Sequence, residues 1–84
     1  MVVERVEKTD EFVKFVKKIK NPVLKEKVQK QIAKIIQNPE LGKPMRFERK
    51  GTREVYVSSF RLAYAYIKER GTIIFLELYH KDEQ

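Results

Sequence analysis

The chain has 84 residues, no cysteine, one histidine and a formal net charge of +7. A single domain takes up that length, and one so small buries only about 60–65% of the surface its unfolded chain exposes. The missing thiols exclude disulfides, a cysteine nucleophile and thiolate metal ligands, and no apolar run approaches the roughly 18–20 residues that cross a bilayer.

The N-terminal MVVERVEK lacks the apolar core of a signal peptide, so a soluble cytoplasmic chain forming one domain over residues 1–84 is expected. Val2 to Val6 is short and β-branched and predicts a first strand. Thr9 and Asp10 are helix N-cap candidates, with Glu11 placed to complement the helix dipole. Phe12, Val16 and Ile19 then recur at helical spacing. Asn21-Pro22 interrupts this helix, and a second follows with Leu24, Val28, Ile32, Ile35 and Ile36 as one apolar stripe. Asn38-Pro39 ends it.

From Pro44 onward the period becomes two. Met45 and Phe47 alternate with Arg46 and Glu48, Gly51-Thr52 reads as a turn, and Arg53 to Ser59 alternates around Val55 and Val57. Phe60 to Ile67 is a long strand in which Arg61 points away from Leu62, Tyr64 and Tyr66. Those tyrosines share the face that a helix stripe must cover, so core packing is their expected role. Arg70-Gly71 closes a hairpin, and Thr72 to Tyr79 is apolar enough for a central strand covered on both faces. The order β-α-α-β-β-β-β predicts an α+β fold: two N-terminal helices packed on a mainly antiparallel sheet of four to five strands.

Charge is uneven. Residues 11–37 hold eight lysines against two glutamates, and Arg46, Arg49, Lys50 and Arg53 form a second basic cluster. An open sheet face bordered by such charge suits a phosphate backbone, which makes these residues candidate RNA contacts. The alternative is a lysine-rich solvated surface. The sequence holds no metal-ligand constellation and calls for no cofactor.

The segments L-G-K-P-M (41–45), G-x-R-E-V-Y-V-x-x-F-R-L-A-Y-A-Y (51–66) and the apolar strand ending L-Y-H-K (78–81) together resemble the RelE/ParE toxin superfamily. The strongest piece, Phe60-Arg61-Leu62-Ala63-Tyr64, is similar to that family's YRLVY strand. Tyr79-His80 resembles the end of the YoeB branch, and His80-Lys81-Asp82 the H-x-D setting of the YafQ branch. The resemblance implies a type II toxin that cuts mRNA on the ribosome by 2′-hydroxyl attack and is held off by an antitoxin. It also leaves room for a ParE-like toxin that inhibits gyrase by protein binding, and a basic RNA-binding module without toxicity is a further possibility.

Cleavage of this kind needs a base, positive charge at the phosphorane and an acid for the leaving oxygen. The resemblance makes His80 the general acid and Arg61 the phosphate grip. The bland alternatives are a surface histidine near the chain's end and a structural ion pair from Arg61 to Glu54 or Glu77. Where YoeB-like toxins carry a glutamate after Lys-Pro, this chain has Met45. Where RelE carries lysines, it has Glu54 and Tyr56. Glu54, or Glu48, is then the candidate base, Tyr56 a stacking or orienting group, and Lys81 a source of charge. A cross-strand ion pair for Glu54 and a core-edge position for Tyr56 are the alternatives. The scheme requires the imidazole of His80 and the guanidinium of Arg61 to converge on one cationic hollow.

Overall fold

A computed structural model describes residues 3–45 and 51–83. Strand β1 (Arg5–Lys8) leads into helix α1 (Asp10–Lys18) and helix α2 (Pro22–Gln37). Strands β2 (Lys43–Pro44), β3 (Thr52–Val57), β4 (Phe60–Ile67) and β5 (Thr72–His80) follow. They form one sheet in the order β1-β5-β4-β3-β2, with β1 parallel to β5 and the other pairs antiparallel. This is the expected α+β class and element order. Two ends differ. The first strand starts later than Val2–Val6 and is exposed along its length, because it is an edge strand that only β5 supports. The second strand is the Lys43–Pro44 pair, so Met45 lies beyond it, and Phe47 falls outside the described residues.

Local signals set the helices. The Asn21 side chain accepts from the N–H groups of Val23 and Leu24, and Pro22 occupies the first turn, where its missing N–H costs nothing. Thr9 caps α1, its Oγ1 accepting from Phe12 N–H at 3.1 Å. The same hydroxyl donates to the Leu76 carbonyl at 2.5 Å, and the Thr9 N–H donates to Phe75 at 3.0 Å. One residue thus joins β1 to α1, starts the helix and pins the junction to β5.

The contact on Leu76 marks the main irregularity of the sheet. Leu62 pairs with Leu78 and Ala63 with Glu77, but Tyr64 pairs with Phe75, so Leu76 is an extra residue in β5. Strict alternation from Ile73 and Phe75 would carry Glu77 and Tyr79 into the core. The bulge resets the phase: Leu78 is buried beside Leu62, and Glu77 is moved to the other face. Burying a carboxylate without a partner costs far more than one bulge. Strand β5 is therefore covered by helices on one face only among the described residues, not on both as its composition suggested.

The core lies between the helices and this covered face. Phe12, Val28 and Ile35 meet Val57, Leu62, Phe75 and Leu78, and Tyr66 packs against the margin. Tyr64, fully buried, does more than fill space. Its Oη donates to the Pro39 carbonyl at 2.7 Å and accepts from Gly42 N–H at 2.8 Å, tying the loop after α2 to the sheet. Gly42 is required there, since a Cβ would stand 2.7 Å from that oxygen. Arg53, on the same face as Tyr64, clamps the loop from outside by donating to Gly42 O at 2.7 Å and Glu40 O at 3.1 Å.

Burial pushes the Tyr64 phenol up, against the lowering effects of the Gly42 N–H and the Arg53 charge. The folded chain holds a proton that the unfolded chain releases. Its contribution to stability is therefore complete below about pH 10 and is lost as pH climbs through the raised folded value. Tyr64→Phe is expected to remove this alkaline component and, by leaving the Gly42 N–H and Pro39 carbonyl unpaired, to cost about 1–3 kcal/mol in urea denaturation at neutral pH. Arg53→Ala is expected to cost about 1–2 kcal/mol in the same assay through the loosened loop.

Candidate nucleic-acid interface

Cross-strand pairing places residues on a common face of the sheet. Opposite Arg61 stand Tyr56 on β3 and Tyr79 on β5, and in the next row Ala63 is flanked by Glu54 and Glu77. These residues occupy the sheet face away from the helices. Alternation in β4 put Arg61 there, as expected, because Leu62 and Tyr64 fill the core.

The Arg61 guanidinium carbon lies 3.7 Å from the centroid of the Tyr56 ring. Stacking engages the flat face of the guanidinium and leaves its in-plane N–H groups for an oxyanion. Neither Glu54 nor Glu77 forms an ion pair with it, and no other carboxylate does so among the described residues. Tyr56 is 57% exposed, so it is a surface ring and not a core-edge one. Glu54 is bound by a partner that the sequence reading missed: Tyr79 Oη donates to Glu54 Oε2 at 2.7 Å. The bond spans from β5 to β3 above Ala63, whose methyl leaves room for it. The only sequence signal for Tyr79 was its place beside His80, and its partner is 25 residues away.

His80 does not join this row. It pairs with Phe60, and the two rings meet edge to face with centroids 5.2 Å apart. Phe60 in turn meets Phe15 of α1 at 5.7 Å. The imidazole therefore sits at the margin of the helix side of the sheet, on the face opposite Arg61. Its Nδ1 is 3.5 Å from Asp82 Oδ2 and 3.3 Å from the Asp82 N–H, a local contact within the His80-Lys81-Asp82 motif. The required convergence of His80 and Arg61 is absent, and the cause is the Leu76 bulge. With alternation unbroken beyond Phe75, Tyr79 would face the core and His80 would face outward, on the side of Arg61.

The basic candidates divide. Arg53 is committed to the loop after α2, with a 3.8 Å contact to Glu40, on the face away from Arg61. Its guanidinium serves as a structural clamp on that loop. Lys81 is exposed at the corner where its N–H donates to Ser59 O at 2.9 Å, beside the β3–β4 turn. Arg46, Arg49, Lys50 and the second candidate base Glu48 lie outside the described residues.

A groove runs between α2 and the outer edge of β3. One part, of about 400 Å³, is lined by Gln31, Lys34, Leu41, Lys43, Glu54 and Tyr56. The next, of about 320 Å³, brings in Lys27 and Lys30 and ends at Ser58. Tyr56 belongs to both, so the stacked ring lies where this lysine-rich channel meets the Arg61 row. No helix among the described residues is long and apolar enough to cross a membrane.

Comparison with known proteins agrees with this architecture. No curated protein matches the chain. Among solved structures it is similar to the RelBE2 toxin–antitoxin complex of Mycobacterium tuberculosis, at 26% identity and TM-score 0.76 over 90% of this chain and 95% of that one. It also resembles the YoeB/ParE toxin from Agrobacterium tumefaciens, at 12% identity and TM-score 0.80 over 90% and 96% of the two chains. The archaeal RelE–RelB complex from Pyrococcus horikoshii OT3 matches at 15% identity and TM-score 0.75 over 99% and 100%. At 12% and 15% identity the last two likenesses concern the fold alone. The family model of ParE-like toxins matches residues 6–83, nearly the whole domain, and the chain belongs to the ParE-like toxins of type II bacterial toxin–antitoxin systems.

Proposed function

We propose that this toxin is an endoribonuclease that cuts mRNA on the ribosome by 2′-hydroxyl attack, without a cofactor. The observation that carries the reading is the open-face row: an arginine with no described carboxylate partner, stacked on an exposed tyrosine and next to a half-buried glutamate. Arg61 grips the scissile phosphate and offsets the charge that grows on it. Glu54 takes the 2′-hydroxyl proton. Tyr56 offers an aromatic face to a base. Lys27, Lys30 and Lys34 line a channel that can follow the phosphate backbone into the row.

The partner that holds such a toxin off would be a cognate antitoxin. The similar structures from Mycobacterium tuberculosis and Pyrococcus horikoshii are toxin–antitoxin complexes, and the lysines of α2 suit an acidic amphipathic segment.

One observation favours a second reading, a ParE-like toxin that binds a protein target such as gyrase without chemistry. His80, which the RNA-cleaving branches would use, lies on the other face of the sheet.

Mapping mRNA ends in a translating extract separates the two. Arg61→Ala and Glu54→Gln are each expected to lower cleavage by about 10²–10³-fold. His80→Ala is expected to change it by less than about tenfold, because its ring is outside the row. Growth inhibition that persists in Arg61→Ala and Glu54→Gln, with no cleaved message from any form of the chain, would establish protein binding instead. In the ribonuclease case, association with ribosomes is also expected to weaken steeply between about 50 and 200 mM salt.

A further inference from the structure

The hydrogen bond between Tyr79 and Glu54 has no role in the core. It joins two strands that are not neighbours, β5 and β3, across β4. Two strand spacings put about 9–10 Å between those backbones. A tyrosine and a glutamate reach across only if the residue between them is small. That residue is Ala63, which is fully covered although it belongs to the open face. The bond therefore depends on three strands and on the phase that the Leu76 bulge imposes. The shift that takes His80 away from Arg61 is the one that brings Tyr79 to it.

We infer that Tyr79 is a positioning residue of the ribonuclease site, an inference that rests on the reading proposed above. Tyr79 is directly across from Arg61, and its phenol is the hydrogen-bond donor to Glu54 among the described residues. A glutamate on an open face otherwise samples several rotamers. The phenol fixes one carboxylate oxygen, Oε2, and leaves Oε1 to receive a proton. Holding the base in place in this way converts a loosely placed group into an oriented one, a recognised source of rate. In the reaction the 2′-oxygen forms its bond to phosphorus as the bond from phosphorus to the 5′-oxygen breaks. Glu54 takes the 2′ proton, water supplies the proton of the leaving 5′-oxygen, and Tyr79 keeps its own. The products are a 2′,3′-cyclic phosphate and a 5′-hydroxyl.

The test is a double-mutant cycle on the full chain, with kcat and KM for mRNA cleavage measured in a reconstituted translation system. Tyr79→Phe keeps the ring and loses only the hydroxyl. It is expected to lower kcat about tenfold to hundredfold, the rate equivalent of one hydrogen bond to a charged group, with KM held within about twofold. In a Glu54→Gln background the same change is expected to add no further loss, since the hydroxyl acts through the carboxylate. An unchanged kcat in Tyr79→Phe would overturn the inference. So would an equal fractional loss in both backgrounds, accompanied by a lower melting temperature, which would make Tyr79 a structural residue only. Cleavage lost in Glu54→Gln and Arg61→Ala but intact in Tyr79→Phe would overturn the role of Tyr79 alone. A native chain that cuts no message would overturn the ribonuclease reading and this inference with it.

Discussion

The arrangement of this domain turns on one extra residue in its last strand. Glu77 sits in a run that is otherwise suited to the core, and regular alternation would bury its charge under the helices. The chain avoids this by bulging at Leu76, and the carbonyl at the bulge is held by the Thr9 hydroxyl, 67 residues earlier in sequence. Because Thr9 also caps α1, the irregularity in the sheet and the position of the first helix are set together. The bulge decides which residues beyond it face the helices and which face outward. It buries Leu78, turns Tyr79 toward Arg61 and takes His80 to the margin of the helix layer.

The two faces of the sheet consequently differ in kind. On the covered face, polar groups are tied into the scaffold. Tyr64 and Arg53 are spent on the loop from Pro39 to Gly42, which would otherwise leave a buried N–H and carbonyl without partners. On the open face, Arg61 and Glu54 are each held by an aromatic residue, with no ion pair to either among the described residues. Arg61 rests on an aromatic ring, which orients the cation without cancelling its charge, and Glu54 rests on a phenol, which orients the anion in the same way. Opposite charges two residues apart on one surface, each fixed by a neutral partner and not by the other, suit a site that takes up both a phosphate and a proton.

The lysines of α2 extend this surface beyond the sheet. They line the groove at the edge of β3, where the two-residue β2 stops covering it, and the groove reaches Tyr56. Lysines of the helix layer and the Arg61 row of the open face thus meet at one exposed ring, Tyr56. The toxin therefore carries a lysine-lined channel beside Tyr56.

Much of this was legible in the amino-acid sequence. Short-range physics decided it: Thr9 as a cap, Asn21-Pro22 and Asn38-Pro39 as helix punctuation, the turn from a period of 3.6 to one of two, and the outward direction of Arg61 between Phe60 and Leu62. These features depend on neighbours within a few residues, so a linear reading captures them. The face taken by His80, the binding of Arg53 to a loop and the meeting of Tyr79 with Glu54 were settled only in three dimensions. Each depends on strand register and on partners between 11 and 67 residues away. In a strand that is apolar on both sides, nothing local marks where the alternation slips. There the cost of burying one carboxylate, weighed across the whole sheet, decided the phase.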